Sequence, residues 1–170
     1  MTNTADRVHF FWSGPFSQWQ KSAFDLDGKT FNTAEQAMMY FKALLFDDLE
    51  TAAKIAAASD PGRQKALGRQ VRKFEETIWQ AQREEIVYRV NHAKFSQNKG
   101  LRRKLFQTGD KLLVEASPTD LIWGIGLDAQ TAARTEPENW PGQNLLGKIL
   151  TDVRNQLRLE HPDEVTQTEL

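Results

Sequence analysis

The sequence has no cysteine, which excludes disulfide bonds and thiolate zinc sites. Its three histidines, His9, His92 and His161, are too few and too scattered to predict a metal cluster. We therefore expect chemistry that requires no metal and no cofactor. A chain of 170 residues can bury a stable core without such crosslinks, and its length predicts a single domain.

Long hydrophobic runs are also missing. No apolar stretch approaches the roughly 18 residues that would span a bilayer. The segment Met1–Arg7 has neither the basic start nor the apolar centre of a signal peptide. These absences favour a cytoplasmic protein with no membrane partner.

Neither sign of charge dominates, since the formal net charge is −1. Residues 159–170 contain four acids and no lysine or arginine, so we predict a folded domain over 1–158 and a disordered acidic tail over 159–170. Without the tail, 22 basic and 19 acidic side chains leave a charge of +3. That charge permits a phosphate-bearing ligand but does not indicate a broad nucleic-acid surface.

Hydrophobic periodicity predicts several helices and a few short strands. Strands are expected at 8–12, 24–26, 29–31, 112–115 and 121–123, and the turn Asp27-Gly28 predicts that the second and third form a hairpin. Helices are expected after the capping-box pattern Thr33–Gln36 and at 49–58, 61–67, 74–95, 101–106 and from Asn144 to 157. Because strands and helices do not alternate regularly, the expected class is α+β, a mainly helical single domain with a small set of short strands.

One apparent motif is rejected. The segment Gly124–Ala129 matches the dinucleotide fingerprint G-x-G-x-x-A, but only 41 residues follow it, too few for the βαβ halves that this motif serves. The two glycines are better explained as shaping a loop.

The helix after the capping box carries the first candidate site. Glu35, Met38/Met39 and Lys42 are spaced to lie on one helix face, which would place a carboxylate and an ammonium at a cleft. The alternative is that Glu35 only complements the helix dipole and Lys42 is solvated. Lys94 continues the apolar stripe of the long helix, so it either reaches water or sits at a cleft edge with a lowered pKa; composition favours the first.

Further candidates are phosphate and base contacts. Arg69 follows Gly68 in a basic stretch and could bind a phosphate bidentately, although such stretches are usually solvated. The helix start at Asn144 offers free N–H groups as an anion site. Ser17 and Gln18 lie in a loop among aromatic residues, which suits a planar heterocycle. The stretch 112–126, predicted as a strand, a loop and a second strand, concentrates the polar and aromatic candidates Glu115, Asp120 and Trp123.

The sequence resembles the NADAR superfamily, the YbiA-like proteins, from about Phe10 to Leu157. Nine segments carry the resemblance in the family's order: Phe16–Trp19, Asp27-Gly28, Ala34–Ala43, Ala66–Arg69, Ala93–Asn98, Thr108–Asp110, Leu113–Asp120, Ile122–Gly126 and Gly142–Gly147. Two departures concern the presumed pocket: Ala37 stands where family members commonly have an aromatic residue, and Gln18 where many have Asn.

The resemblance implies a YbiA-like fold and a hydrolase that cleaves N-glycosidic bonds. It implies phosphoribosylamino-pyrimidine intermediates of riboflavin biosynthesis as the small-molecule substrate. The first alternative is removal of ADP-ribose from guanine in nucleic acid, which the low charge disfavours. The second is a non-catalytic module that binds ADP-ribose or a nucleotide.

The resemblance also implies roles for individual residues. Glu35 or Asp120 would stabilise the oxocarbenium-like transition state or activate water, and Lys42 would hold the ribose or its phosphate, or attack C1 to give a Schiff base. The substrate-binding residues would be Ser17, Gln18, Trp19, Arg69, Lys94, Glu115, Trp123, Gly124 and Asn144. Among these, Trp123 would stack on the substrate, and Arg69 and Asn144 would bind phosphate.

Overall fold

The computed structural model describes residues 4–166. The elements in chain order are α1 (Thr4–Arg7), β1 (Val8–Phe11), β2 (Phe24–Leu26), β3 (Lys29–Phe31), α2 (Ala34–Leu45), α3 (Leu49–Ala57), α4 (Pro61–Gly68), α5 (Glu76–Gln97), α6 (Lys99–Phe106), β4 (Leu112–Glu115), α7 (Ala129–Ala132), a 3₁₀ turn (Pro137–Asn139), α8 (Leu145–Glu160) and α9 (Pro162–Thr166). The fold is therefore α+β, mainly helical with a few short strands, as predicted. None of these helices is long and apolar enough to cross a membrane.

The contacts divide the chain into two compact units. The split unit is formed by residues 1–17 and 99–170, and the continuous unit by residues 18–98.

In the continuous unit, β2 and β3 form the predicted antiparallel hairpin, with Phe24 opposite Phe31. Asp27 and Gly28 both have positive φ angles, 50° and 78°, as a type I′ turn requires. The hairpin packs with α2 and α5 in one apolar core made of Phe24, Phe31, Ala34, Ala37, Val90 and Ala93. The departure Ala37 thus lies in the core, where its small side chain belongs to the packing of this unit.

The start of α2 is fixed by side chains. The Thr33 hydroxyl accepts a hydrogen bond from the Gln36 N–H at 3.0 Å, so the helix begins where the capping box predicts. The Gln36 amide oxygen, however, accepts from the N–H of Asn32 at 2.8 Å, one residue before the cap. Its amide nitrogen donates to carbonyls at the end of α3, including that of Ala58 at 3.0 Å. These bonds anchor the first turn of α2, which carries Glu35.

In the split unit, β1 pairs in parallel with β4, with Val8 opposite Leu112 and Phe11 opposite Glu115. Val8, Val114, Ile125 and Ala132 form a core cluster of this unit. The predicted strand at 121–123 is wrong. The carboxylate of Asp120 accepts the N–H groups of Ile122 and Trp123, both at 2.9 Å, and so organises a turn there.

The prediction of a disordered tail is also wrong for residues 159–166. Helix α8 continues to Glu160, and α9 follows from Pro162 to Thr166. The Arg102 guanidinium is 5% exposed and donates to both carboxylate oxygens of Glu164, at 2.8 Å each. This bidentate pair fastens α9 to α6. Residues 167–170 of the predicted tail lie outside the described residues.

Candidate active site

Glu35 lies in the first turn of α2 and is only 5% exposed. Its N–H donates to the backbone carbonyl of Gln18 at 2.9 Å, which joins the segment before β2 to the helix start. The position at a helix N-terminus favours the ionised carboxylate. A buried carboxylate held there can stabilise positive charge on a bound molecule or take a proton from water.

Gln18 is itself buried, with 9% of its surface exposed. Neither its amide oxygen nor its amide nitrogen has a hydrogen-bond partner among the described residues. Buried polar side-chain atoms are mostly paired in folded proteins. The Gln18 amide therefore offers one donor and one acceptor for which this part of the structure supplies no partner.

Lys42 lies seven residues after Glu35, near the end of α2, and is half-buried. Burial lowers the pKa of Lys42; among nearby charges, Glu76 and Glu35 oppose this shift and Arg69 adds to it. Glu35, Arg69 and Glu76 thus all lie near enough to Lys42 to act on its charge, and these four residues are here called the acid–amine cluster. The predicted shared face of Glu35 and Lys42 agrees with this coupling.

Two aromatic rings complete the surroundings of Lys42. Its Nζ lies 4.6 Å from the ring centroid of Phe74 and 5.5 Å from that of Trp79. Neither Trp79 nor Glu76 is among the candidate residues that the sequence pattern predicted. Their three-residue spacing at the start of α5 was the available signal, because it places both on the same side of that helix.

Arg69 caps the end of α4 and is exposed. The helix reaches Met39 of α2 at Gly68, where a Cβ would collide with the Met39 side chain. Glycine is required at this point because the two helices approach so closely. Arg69, the residue predicted to bind phosphate, is exposed and lies near enough to Lys42 to help lower the pKa of that amine.

Lys94 is fully buried on α5, at 0% exposure, so the expectation that its side chain reaches water is wrong. Its Nζ lies 5.0 Å from the ring centroid of Phe95. Burial lowers the pKa of Lys94 to about 7. Near neutral pH a large share of this amine is therefore uncharged. The spacing of apolar residues along α5 placed Lys94 on the apolar stripe but did not show that its side chain is fully buried.

The remaining predicted loop residues organise the split unit. Gly124 has no room for a side chain, since a Cβ would lie 3.0 Å from the Glu115 carbonyl oxygen. That carbonyl accepts the Ile125 N–H at 3.0 Å, and Asp120 holds the turn described above. Glu115, at the end of β4, and Trp123, in the turn that follows Asp120, are both half-buried.

Asn144 begins α8, as predicted, but its side chain does not cap the helix. Its amide accepts from the N–H of Glu115 at 3.0 Å and donates to the carbonyl of Leu113 at 3.1 Å. The first helical N–H groups, of Leu145 and Leu146, donate to the carbonyls of Ile122 and Trp123 at 3.1 Å each. The expectation of free N–H groups for an anion is therefore wrong for these two residues.

Ser17 and Trp19 flank Gln18. Ser17 closes a turn through its N–H, which donates to the Gly14 carbonyl at 3.0 Å. Trp19 is 46% exposed, so part of this residue is in contact with solvent. In the continuous unit, the structure thus brings Glu35, Lys42 and Arg69 into one cluster. It also places Gln18 next to the first turn of α2, which carries Glu35. Within residues 4–166, no group of three or more His, Asp or Glu side chains could hold a metal ion.

Comparison with known proteins identifies the class. The NADAR domain family matches residues 10–158, and the chain belongs to this family. It is 48% identical over 146 residues to N-glycosidase R617 of Acanthamoeba polyphaga mimivirus, covering 83% of this chain and 86% of that protein.

Two further relatives extend the comparison. The NMR structure of the Escherichia coli protein YbiA matches with a TM-score of 0.75 at 29% identity, covering 93% of this chain and 89% of that one. The riboflavin biosynthesis protein VVA0006 of Vibrio vulnificus is 32% identical over 128 residues, covering 75% of this chain but 32% of that protein.

Proposed function

We propose that this chain hydrolyses the C–N glycosidic bond of phosphoribosylamino-pyrimidines, intermediates of riboflavin biosynthesis, at the acid–amine cluster. As a NADAR-domain protein with relatives named N-glycosidase, the chain is a hydrolase of N-glycosyl bonds. The name of the Vibrio relative supports the riboflavin-related substrate. The exposed guanidinium of Arg69 supports a phosphate on that substrate.

The observation that carries the proposal is a buried carboxylate coupled to an amine of lowered pKa. Breaking the bond between C1 of the ribose and the base nitrogen sends the electron pair to the base and leaves positive charge on the sugar. The Glu35 carboxylate stabilises that charge because it is buried and held in place at the first turn of α2. The fraction of Lys42 that is deprotonated supplies a nucleophile.

Two routes complete the reaction at this cluster. In one, Glu35 takes a proton from water, the water oxygen bonds to C1, and the same proton passes to the base nitrogen as the bond from C1 to the base breaks. In the other, the uncharged Lys42 nitrogen bonds to C1 while the bond from C1 to the base breaks, and the base leaves with the electron pair and takes up the proton that the lysine nitrogen loses. The sugar ring then opens to a Schiff base, and water releases the sugar aldehyde and the free amine. The roles predicted for Asp120 and Trp123, which belong to the split unit, stay predictions.

The substitution Glu35→Gln tests the carboxylate. The variant keeps the shape of the side chain, so it should fold normally by circular dichroism while kcat falls by about 10²–10⁴-fold, the range for a lost acid–base group. Glu84→Gln, at an exposed position of α5, is the matched control and should keep full activity. A Glu35→Gln enzyme with unchanged kcat would remove this residue from the mechanism.

Borohydride separates the two routes. Reduction during turnover should trap the sugar on Lys42, seen by mass spectrometry as an adduct that is missing in Lys42→Met. Repeated failure to trap it during measurable turnover would contradict the Schiff-base route and favour direct attack by water.

The substrate class needs a direct comparison. Incubation with ribosylaminopyrimidine phosphate should release the base, whereas an oligonucleotide carrying ADP-ribosylated guanine should remain intact. Cleavage of the oligonucleotide alone would overturn the proposed substrate. Tight binding of ADP-ribose without hydrolysis of either substrate would identify a binding module.

A further inference from the structure

The Gln18 amide is a buried polar group that the reaction outlined above does not use. Both of its polar atoms are buried and without a hydrogen-bond partner among the described residues. An unpaired buried amide destabilises the folded protein, since it loses water and gains nothing in return. A molecule that binds there and pairs both atoms recovers those interactions.

Its position connects it to the catalytic carboxylate. The carbonyl of Gln18 accepts the N–H of Glu35, so the two residues are joined through the main chain at the first turn of α2. Gln18 therefore lies directly beside the helix turn that carries Glu35. The partly exposed ring of Trp19 follows immediately in the chain.

We propose that Gln18 selects substrates whose leaving heterocycle carries a lactam edge, a ring N–H next to a ring carbonyl. This inference rests on the proposed function and narrows its substrate class. A primary amide presents one donor and one acceptor side by side, and a lactam edge presents the complementary acceptor and donor. Rings without that pair leave the amide unpaired and are selected against, because a site built for hydrogen bonds rejects ligands that cannot make them.

The test compares two N-glycosides with the same 5′-phosphoribosyl group. One carries an aminopyrimidinone with a lactam edge, and the other a pyridinium ring, which is a good leaving group without one. Gln18→Met removes the polar atoms with little change in volume. It should lower kcat/KM for the first substrate by about 10²-fold and leave the second within about threefold.

A stability measurement distinguishes recognition from a structural role. Without substrate, Gln18→Met should raise Tm, because an unpaired buried amide is replaced by an apolar side chain. The nearby residue Gln20 is half-buried and gives the matched control Gln20→Met. This variant should change neither Tm nor kcat/KM for the two substrates by much.

Three results would contradict the inference. The first is an equal fall in kcat/KM for both substrates in Gln18→Met, and the second is an unchanged kcat/KM for both. The third is a Tm of this variant below that of the parent. A parent enzyme that hydrolyses neither N-glycoside would instead overturn the proposed function, so the two failures are distinguishable.

Discussion

Lys94 is an amine without any exposed surface, and its burial makes stability depend on pH. In the unfolded chain its pKa returns to the ordinary value near 10.5, whereas in the folded protein it is about 7. Below pH 7 both states carry the proton, so the full cost of burying the charge opposes folding. Between pH 7 and 10 the unfolded chain binds the proton and the folded protein releases it, so stability increases with pH.

The variant Lys94→Met should be more stable than the parent at pH 7, with the difference shrinking as the pH rises. This residue contributes about 1.4 kcal/mol to the free energy of unfolding per pH unit between 7 and 10. Urea unfolding of both proteins at pH 7, 8 and 9 measures the narrowing gap. A gap that stays constant over this range would show that Lys94 does not titrate there.

Single residues differed in how well the sequence predicted them. The coupling of Glu35 with Lys42 could be predicted because seven residues make about two helical turns. The burial of Lys94 could not, since the spacing that places it on an apolar stripe does not say what covers the end of its side chain. The unpaired amide of Gln18 could not be predicted either, because it depends on which groups the fold places around the side chain.

Among the secondary-structure elements, the junction of β4 with α8 depends on one side chain. Asn144 adopts a left-handed conformation, with φ of 54°, and its amide bonds both the N–H of Glu115 and the carbonyl of Leu113. Asparagine tolerates this conformation better than most residues. The side chain therefore holds the strand while the main chain turns into the helix.

Replacing this residue, Asn144→Ala, should lower the free energy of unfolding by about 2 kcal/mol or more, because two backbone groups lose their partner and alanine is strained at positive φ. Chemical denaturation measures the change. Asn139→Ala, at an exposed position in the 3₁₀ turn, should stay within about 0.5 kcal/mol of the parent. Equal stability of Asn144→Ala and the parent would show that water replaces the amide fully.

The helices and the hairpin could be predicted because their signals are local. Asp27-Gly28 sets its own turn, and Thr33 caps the next helix through a residue three positions away. The prediction of a strand at 121–123 was wrong for a reason that is also local. The apolar residues of this segment favour a strand, but the polar residue just before them decides the structure. Asp120 captures the N–H groups that a strand would have paired, and this competition outweighs the preference of Ile122 and Trp123 for strands.

For the molecule as a whole, charge predicts how activity responds to salt. Outside residues 159–170 the net charge is only +3, which suits a ligand with one phosphate. Raising NaCl from 50 to 200 mM should lower kcat/KM for ribosylaminopyrimidine phosphate by less than about tenfold. A fall of about 10³-fold or more would indicate contacts to many phosphates, as in nucleic-acid recognition.

The division into two units could not be predicted from the sequence. Length and hydrophobic pattern gave the class and the order of elements, but nothing in either places β1 beside β4. Those strands pair across about a hundred residues of intervening chain, and their apolar residues would fit other partners equally well. The family resemblance supplied the YbiA-like fold that periodicity could not.

The pairing of β1 with β4 has a consequence for how the protein is made. The first strand ends at Phe11, and its partner begins only at Leu112, after the whole segment 18–98. A ribosome that adds about 5–20 residues per second needs about 5–20 seconds to deliver that partner. During synthesis, therefore, β1 stays without its partner strand until the whole continuous unit has been made, because β4 comes after that unit in the chain.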